Sequence, residues 1–266
     1  MACSHPRTPG DRGGISLYPL RSSWTAAVVG LALLSTGVTA YGQTLSFRNP
    51  RDLLVGEPAA FIDLLEAARP APVSTEDMRA ILRALPPKGE VTKLGGAAQA
   101  KVDAVRQLLT ATRRDWYQVK VIDLPQAAVA LHARAVILIS APAVALLNAA
   151  ELQALAGHEI GHEYLWIEWN RAHQQADRDR LKELELACDA IAIVTLRGLG
   201  LDPSRLIAGL EKMSRFNQKR LGVATNEKNY PTAAERRALV RQIERWLRDS
   251  NGKRSLSHGP SLPSSD

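Results

Sequence analysis

With 266 residues, 45% of them apolar and 23% charged, the chain has room for one sizeable hydrophobic core and lacks the apolar content of a multi-spanning membrane protein. The formal charge of +7 raises the question of nucleic acid, but Lys and Arg are interleaved with Asp and Glu and form no basic stripe carrying stacking aromatics. No nucleic-acid partner is expected, and the charge is that of solvated helix faces and a basic leader.

Residues 1–42 read as an export signal. Arg7, Arg12 and Arg21 precede the apolar run Trp24 to Ala40, and small residues follow. Cleavage fits after Ala40 or after Gly42, the second leaving Gln43 first. The run is shorter than the roughly 20 apolar residues of a spanning helix, so membrane association through residues 24–40 is the lesser reading. Export implies a periplasmic or secreted protein. Removing the leader also removes Cys3 and leaves Cys188 alone, so stability has to come from packing and from any bound metal.

Residues 43–249 read as one domain. Pro58 to Arg69 and Ser74 to Leu85 carry apolar residues at helical spacing, with Ser74 and Asp77 as a capping pair, and a longer helix runs from Ala97 to about Arg113. WYQVKVID (116–123) and ARAVILIS (133–140) are short and rich in β-branched residues, which predicts strands, with Ala128 to Leu131 as a third extended piece. From Ala141 onward the pattern is helical, broken near Gly198 to Pro203 and around Gly222 to Pro231. Ser250 to Asp266 lack apolar periodicity and read as a flexible tail.

The chemistry concentrates in LAGHEIGHEYLWIEW (155–169). Residues four apart on a helix share a face, so His158 and His162 can reach one cation, with Glu159 beside it. Imidazole suits zinc, and a catalytic site needs three protein ligands plus an open position for water, whose proton a carboxylate such as Glu159 can take. The positions that would carry Gly and His in a metzincin are Leu165 and Glu168 here, so a Glu from a second helix is the expected third ligand. RLKELELACDAIAIVTL (180–196) offers Glu183, Glu185 and Asp189. Glu185 and Asp189 share a face with small Ala192, whereas Glu183 projects roughly 200° away and should face solvent. Trp166 and Trp169, read as part of the motif helix, are assigned to packing, and His132 and His173 lack ligand spacing.

HEIGH followed by ELACD (185–189) and then Ile191 and Ala192 resembles the HtpX-like and CAAX-type endopeptidases, metallopeptidase family forty-eight, which are zinc enzymes of the gluzincin type. The resemblance implies Glu185 as third zinc ligand and Asp189 as its support, with Cys188 in place of the family's Ala. Upstream, residues 119–140 resemble the family's strand pair beside the cleft, with Ala127, Ala128 and Val129 where the family has Asn-Ala-Phe and Ala133-Arg134 where it has a Gly pair. Downstream, YPTAAERRAL resembles a His-Pro segment ending in Arg: Tyr230 replaces the His, Pro231 is kept and Arg236 takes the Arg position. Tyr230 is thereby a candidate to stabilise a developing oxyanion. The resemblance covers about Ala97 to Arg248, with specific motifs only at the two zinc segments.

The expectation is an α+β, helix-dominated gluzincin domain with a small β-sheet flanking the active-site helix. It would bind one zinc ion and cleave extracytoplasmic polypeptides with Glu159 as base. Peptide is expected to add to an edge strand ending near Ser140. The rival is a non-catalytic, zinc-stabilised scaffold, against which Glu159 speaks because it is no ligand in this scheme.

Overall fold

The structure is a computed structural model that describes Leu45, Leu54 and residues 57–85, 89–222 and 230–257, the last eight without side-chain detail. The expected leader, and the tail beyond Ser257, lie outside the described residues. Among the described residues no helix is long and apolar enough to cross a membrane.

Among the described residues three helices come first: α1 (Pro58–Ala67), α2 (Thr75–Ala84) and α3 (Gly96–Ala111). Ser74 caps α2 by accepting from the Asp77 N–H at 3.0 Å, as the S-x-x-D spacing implies. A three-stranded sheet follows, made of β1 (Gln118–Ile122), β2 (Val129–His132) and β3 (Val136–Ser140) in the order β1-β3-β2. β1 runs parallel to β3 and β2 antiparallel to it. Apolar helices and this small sheet make an α+β, helix-dominated architecture.

Two expectations about the sheet change. The strand expected over Ala133 to Ser140 starts only at Val136, because Ala133 and Arg134 take positive φ values of 48° and 55°. Together with the Ala135 N–H to His132 C=O bond of 3.0 Å, they form the left-handed centre of a tight turn within the three-residue connection between His132 and Val136. Such turns prefer Asn-Gly, and Ala-Arg bears a cost of about 1–2 kcal/mol per residue for the left-handed backbone. The strand ending at Ser140 is also not the edge: β3 is buried along its whole length between its neighbours, and β1 and β2 are the outer strands.

The helical remainder divides into α4 (Ala141–Leu146), α5 (Ala149–Tyr164), α6 (Trp166–Gln174), α7 (Arg178–Gly198), α8 (Ser204–Leu221) and α9 (Ala233–Ser257). The breaks near Gly198 and Gly222 appear, but so do three others. Asn148 and Glu151 form a reciprocal capping box that starts α5. The chain breaks at Leu165, which places Trp166 and Trp169 on α6 and not on the motif helix. Ala176, with φ 52°, ends the turn after α6, and Asp177 then caps α7. α9 continues past Ser250, where composition places the tail, because no proline before Pro260 interrupts its backbone ladder.

α5 is the central element, packed against α3, α6, α7, α8 and β2. It is buried on nearly every side, which is why its sequence shows little amphipathic contrast. Its closest neighbour is α7. A methyl group on Gly161 would stand 2.6 Å from Cys188 Cα, whereas one on Gly157 would meet Ala192 at an ordinary 3.7 Å.

This difference predicts opposite outcomes for one chemical change. Gly161→Ala should cost about 1–3 kcal/mol through overpacking, while Gly157→Ala should be neutral or gain roughly 0.5–1 kcal/mol of helix propensity. Urea denaturation of the metal-free variants separates the two, and equal effects would mean that the crossing is looser than described.

Candidate metal centre

His158 and His162 stand on the same face of α5, one helical turn apart, with Nε2 atoms 3.2 Å from each other. α7, held close by the Gly161–Cys188 approach, brings Glu185 to the same point. Its Oε2 lies 3.3 Å from His158 Nε2 and its Oε1 lies 3.6 Å from His162 Nε2. Donors bound tetrahedrally at 2.0–2.1 Å are separated by about 3.3–3.4 Å, close to these spacings, so the three are placed to share one small cation. The cluster of His158, Glu159 and His162 likewise has one atom from each residue within 4.8 Å of the others. A metal ion can be held here.

Behind the donors lies a buried ionic layer. His158 Nδ1 is 2.8 Å from Asp189 Oδ1, an arrangement that fixes the imidazole tautomer and turns Nε2 toward the cluster. Arg236 donates from Nη1 to both oxygens of Asp189 and from Nη2 to Glu185 Oε2 at 3.4 Å. It is held in place by the start of α9, where Thr232 and Glu235 bond each other's backbone N–H and Glu235 pairs with Lys182 of α7 at 2.7 Å. Glu183 points away as expected, half-exposed beside Arg180 at 2.9 Å.

Glu159 behaves differently from Glu185. Its Oε2 accepts from the Leu131 N–H of β2 at 2.8 Å, which ties the carboxylate to the edge strand. Trp169 presents its ring edge-on to His162 at 5.7 Å and stacks on His173 at 5.2 Å, so both residues pack behind the site. His132 is buried in β2. Tyr230 is half-buried in the bend that leads into α9, and Cys188 is sealed at the α5–α7 crossing. A buried pair that sequence reading missed, Arg114 and Glu163 at 2.6 Å, anchors the end of α5, with the guanidinium also 5.1 Å over the Tyr164 ring. The two residues lie far apart in sequence, and neither carries a local signal.

The buried groups of the cluster shift one another's protonation. Burial disfavours a charged His158, but its bonds to Asp189 and Glu185 overcome that and push it up to about 10. Burial takes His162 down to about 4, with charged His158 adding to the fall against the pull of Glu185. Burial would raise Glu185, yet His162, His158 and Arg236 bring it down to about 2. Burial lifts Glu159 to about 7 in spite of His158 and the Leu131 N–H. A cation in the cluster would offset carboxylate charge that Arg236 leaves uncompensated. Without one, a proton on His158 takes part of that role.

Comparison with models of known protein families finds no match for this chain, and comparison with curated proteins finds none.

Three substitutions on α7 should order themselves by distance from the donors. Glu185→Ala should abolish tight metal binding. Asp189→Asn should weaken it roughly 10- to 100-fold by loosening His158, and should also destabilise the protein because Arg236 loses a buried partner. Glu183→Ala should leave affinity unchanged and cost at most about 1 kcal/mol for an exposed pair. Chelator competition measures all three, and metal loss in Glu183→Ala would contradict the donor set.

Proposed function

We propose that the chain is a zinc-dependent endopeptidase of the gluzincin type, with His158, His162 and Glu185 holding the metal. The observation that carries this reading is the spacing of 3.2 to 3.6 Å among three donors from two helices, with Glu159 beside them and engaged elsewhere. The donor set of two imidazoles and one carboxylate is the one catalytic zinc takes with a position left for water. Bound there, zinc supplies Lewis-acid activation of water and of the substrate carbonyl.

The remaining steps belong to the chain. Leu131 holds Glu159 Oε2, which leaves Oε1 to accept a proton from the attacking water and return it to the leaving amine. A value near 7 in the metal-free cluster falls with a cation beside it, so the base form is available at neutral pH. Asp189 keeps the proton of His158 on Nδ1, and Arg236 keeps Asp189 and Glu185 in place. The substrate is polypeptide in extended form, added along the outer edge of β2. On the reading of residues 1–42 as an export signal, that polypeptide is extracytoplasmic.

Glu159→Gln decides between peptidase and scaffold. Casein hydrolysis should fall at least about 10²- to 10⁴-fold, while zinc stays near one per chain. Undiminished hydrolysis would remove the peptidase reading, and zinc loss would make Glu159 a ligand.

A further inference from the structure

An edge strand ordinarily offers a continuous row of outward N–H and C=O groups to an incoming chain. β2 does not. The inward residues follow from the bond to β3 just before β2, where Ala128 C=O accepts from Ser140 N–H at 2.9 Å, and from the register that puts Ala130 opposite Leu138 and His132 opposite Val136. By alternation, Ala127, Val129 and Leu131 carry the outward groups.

Two of these three are already engaged. Asn217 of α8 takes both groups of Ala127: its Oδ1 accepts from the N–H at 2.8 Å and its Nδ2 donates to the C=O at 3.0 Å. A side-chain amide thus stands where the backbone of a further strand would be. At the other end, Glu159 takes the Leu131 N–H at 2.8 Å. Among the described residues, what remains is the full donor and acceptor pair of Val129 and the C=O of Leu131. Val129 is half-buried, so its backbone is not sealed in the core.

We infer that Asn217 and Glu159 bracket the edge, so that an extended peptide joins the sheet only across Val129 to Leu131, in one register and with at most three backbone bonds. The inference rests on the peptidase reading above and narrows its substrate class. The chain recognises a short extended segment anchored at Val129, next to Glu159, and not a long strand laid along the sheet. One register also fixes which peptide bond meets Glu159, since a slide by one residue would present side chains in place of N–H and C=O groups. Asn217 and Val129 are the residues that set this register.

The test is an N-methyl scan of a decapeptide spanning a casein cleavage site, with the full zinc-loaded chain. Outside the scissile amide, N-methylation should lower kcat/KM by about tenfold at two positions only, two residues apart, where peptide N–H groups meet the Val129 and Leu131 carbonyls. Val129→Pro removes the remaining donor without touching the β2–β3 ladder, and should raise KM about tenfold with kcat and zinc content kept. Three or more alternating sensitive positions would show a ladder that runs past the bracket. None at all, with Val129→Pro unchanged, would show that peptide does not join β2. Either result overturns this inference while leaving the peptidase reading standing. Failure of the wild-type chain to cleave casein or any peptide would bring down both.

Discussion

Everything at the candidate centre depends on how closely α7 approaches α5. At Gly161 the helices are so near that a single methyl group would overlap Cys188, and one turn away Gly157 faces Ala192 across ordinary contact. Glu185 is a short side chain. It meets two imidazoles on another helix only because the backbones are this close, and Asp189, one turn further on, reaches His158 Nδ1 for the same reason. The glycine inside HEIGH is therefore a packing requirement as much as a motif letter. The cysteine in ELACD is the surface against which it packs.

The second constraint is charge. Glu185 and Asp189 are buried with a single guanidinium between them, and Glu159 adds a third carboxyl within the same space. Burying such a group is costly unless each charge is paired, and truncating one partner of a buried pair typically costs about 3–5 kcal/mol. Arg236 compensates one charge and His158 another through its proton, which a bound cation would displace. A fold that relied on this layer for stability alone would do as well with apolar residues of similar volume. Its presence where α5, α7 and α9 meet accords with the proposed zinc site.

Much of this was legible because it is local. Helical geometry separates Glu185 from Glu183 on sequence alone, and the two fall on opposite sides of α7, one buried and one half-exposed beside Arg180. The strands were visible as short β-branched runs, and the unbroken apolar run Val136–Ile139 is the one hint that β3 lies in the middle. The hairpin at Ala133 and Arg134 has neither Gly nor Asn to announce positive φ. The break at Leu165 also lacks a glycine or proline, and it moves both tryptophans onto a separate helix. Asn217 is a polar residue in an amphipathic helix until α8 packs against the start of β2. Ala127, which it bonds, has no local feature that would betray a side-chain partner ninety residues away.

A central helix buried on nearly all sides is a poor place for charged or imidazole side chains, yet α5 carries five of these in sequence order: Glu151, His158, Glu159, His162 and Glu163. Each is met from a different direction. Glu151 pairs with Lys212 of α8, His158 with Asp189 of α7, and Glu159 with the backbone of β2. His162 rests against Trp169 of α6, and Glu163 pairs with Arg114 in the turn before β1. Apolar packing alone tolerates rotation and sliding, because one methyl group substitutes for another. These partners do not, since rotating α5 by one residue would strand several buried polar groups at once. The elements that surround the helix thus share the task of fixing its register, and the register sets the 3.2 Å between His158 and His162 against Glu185.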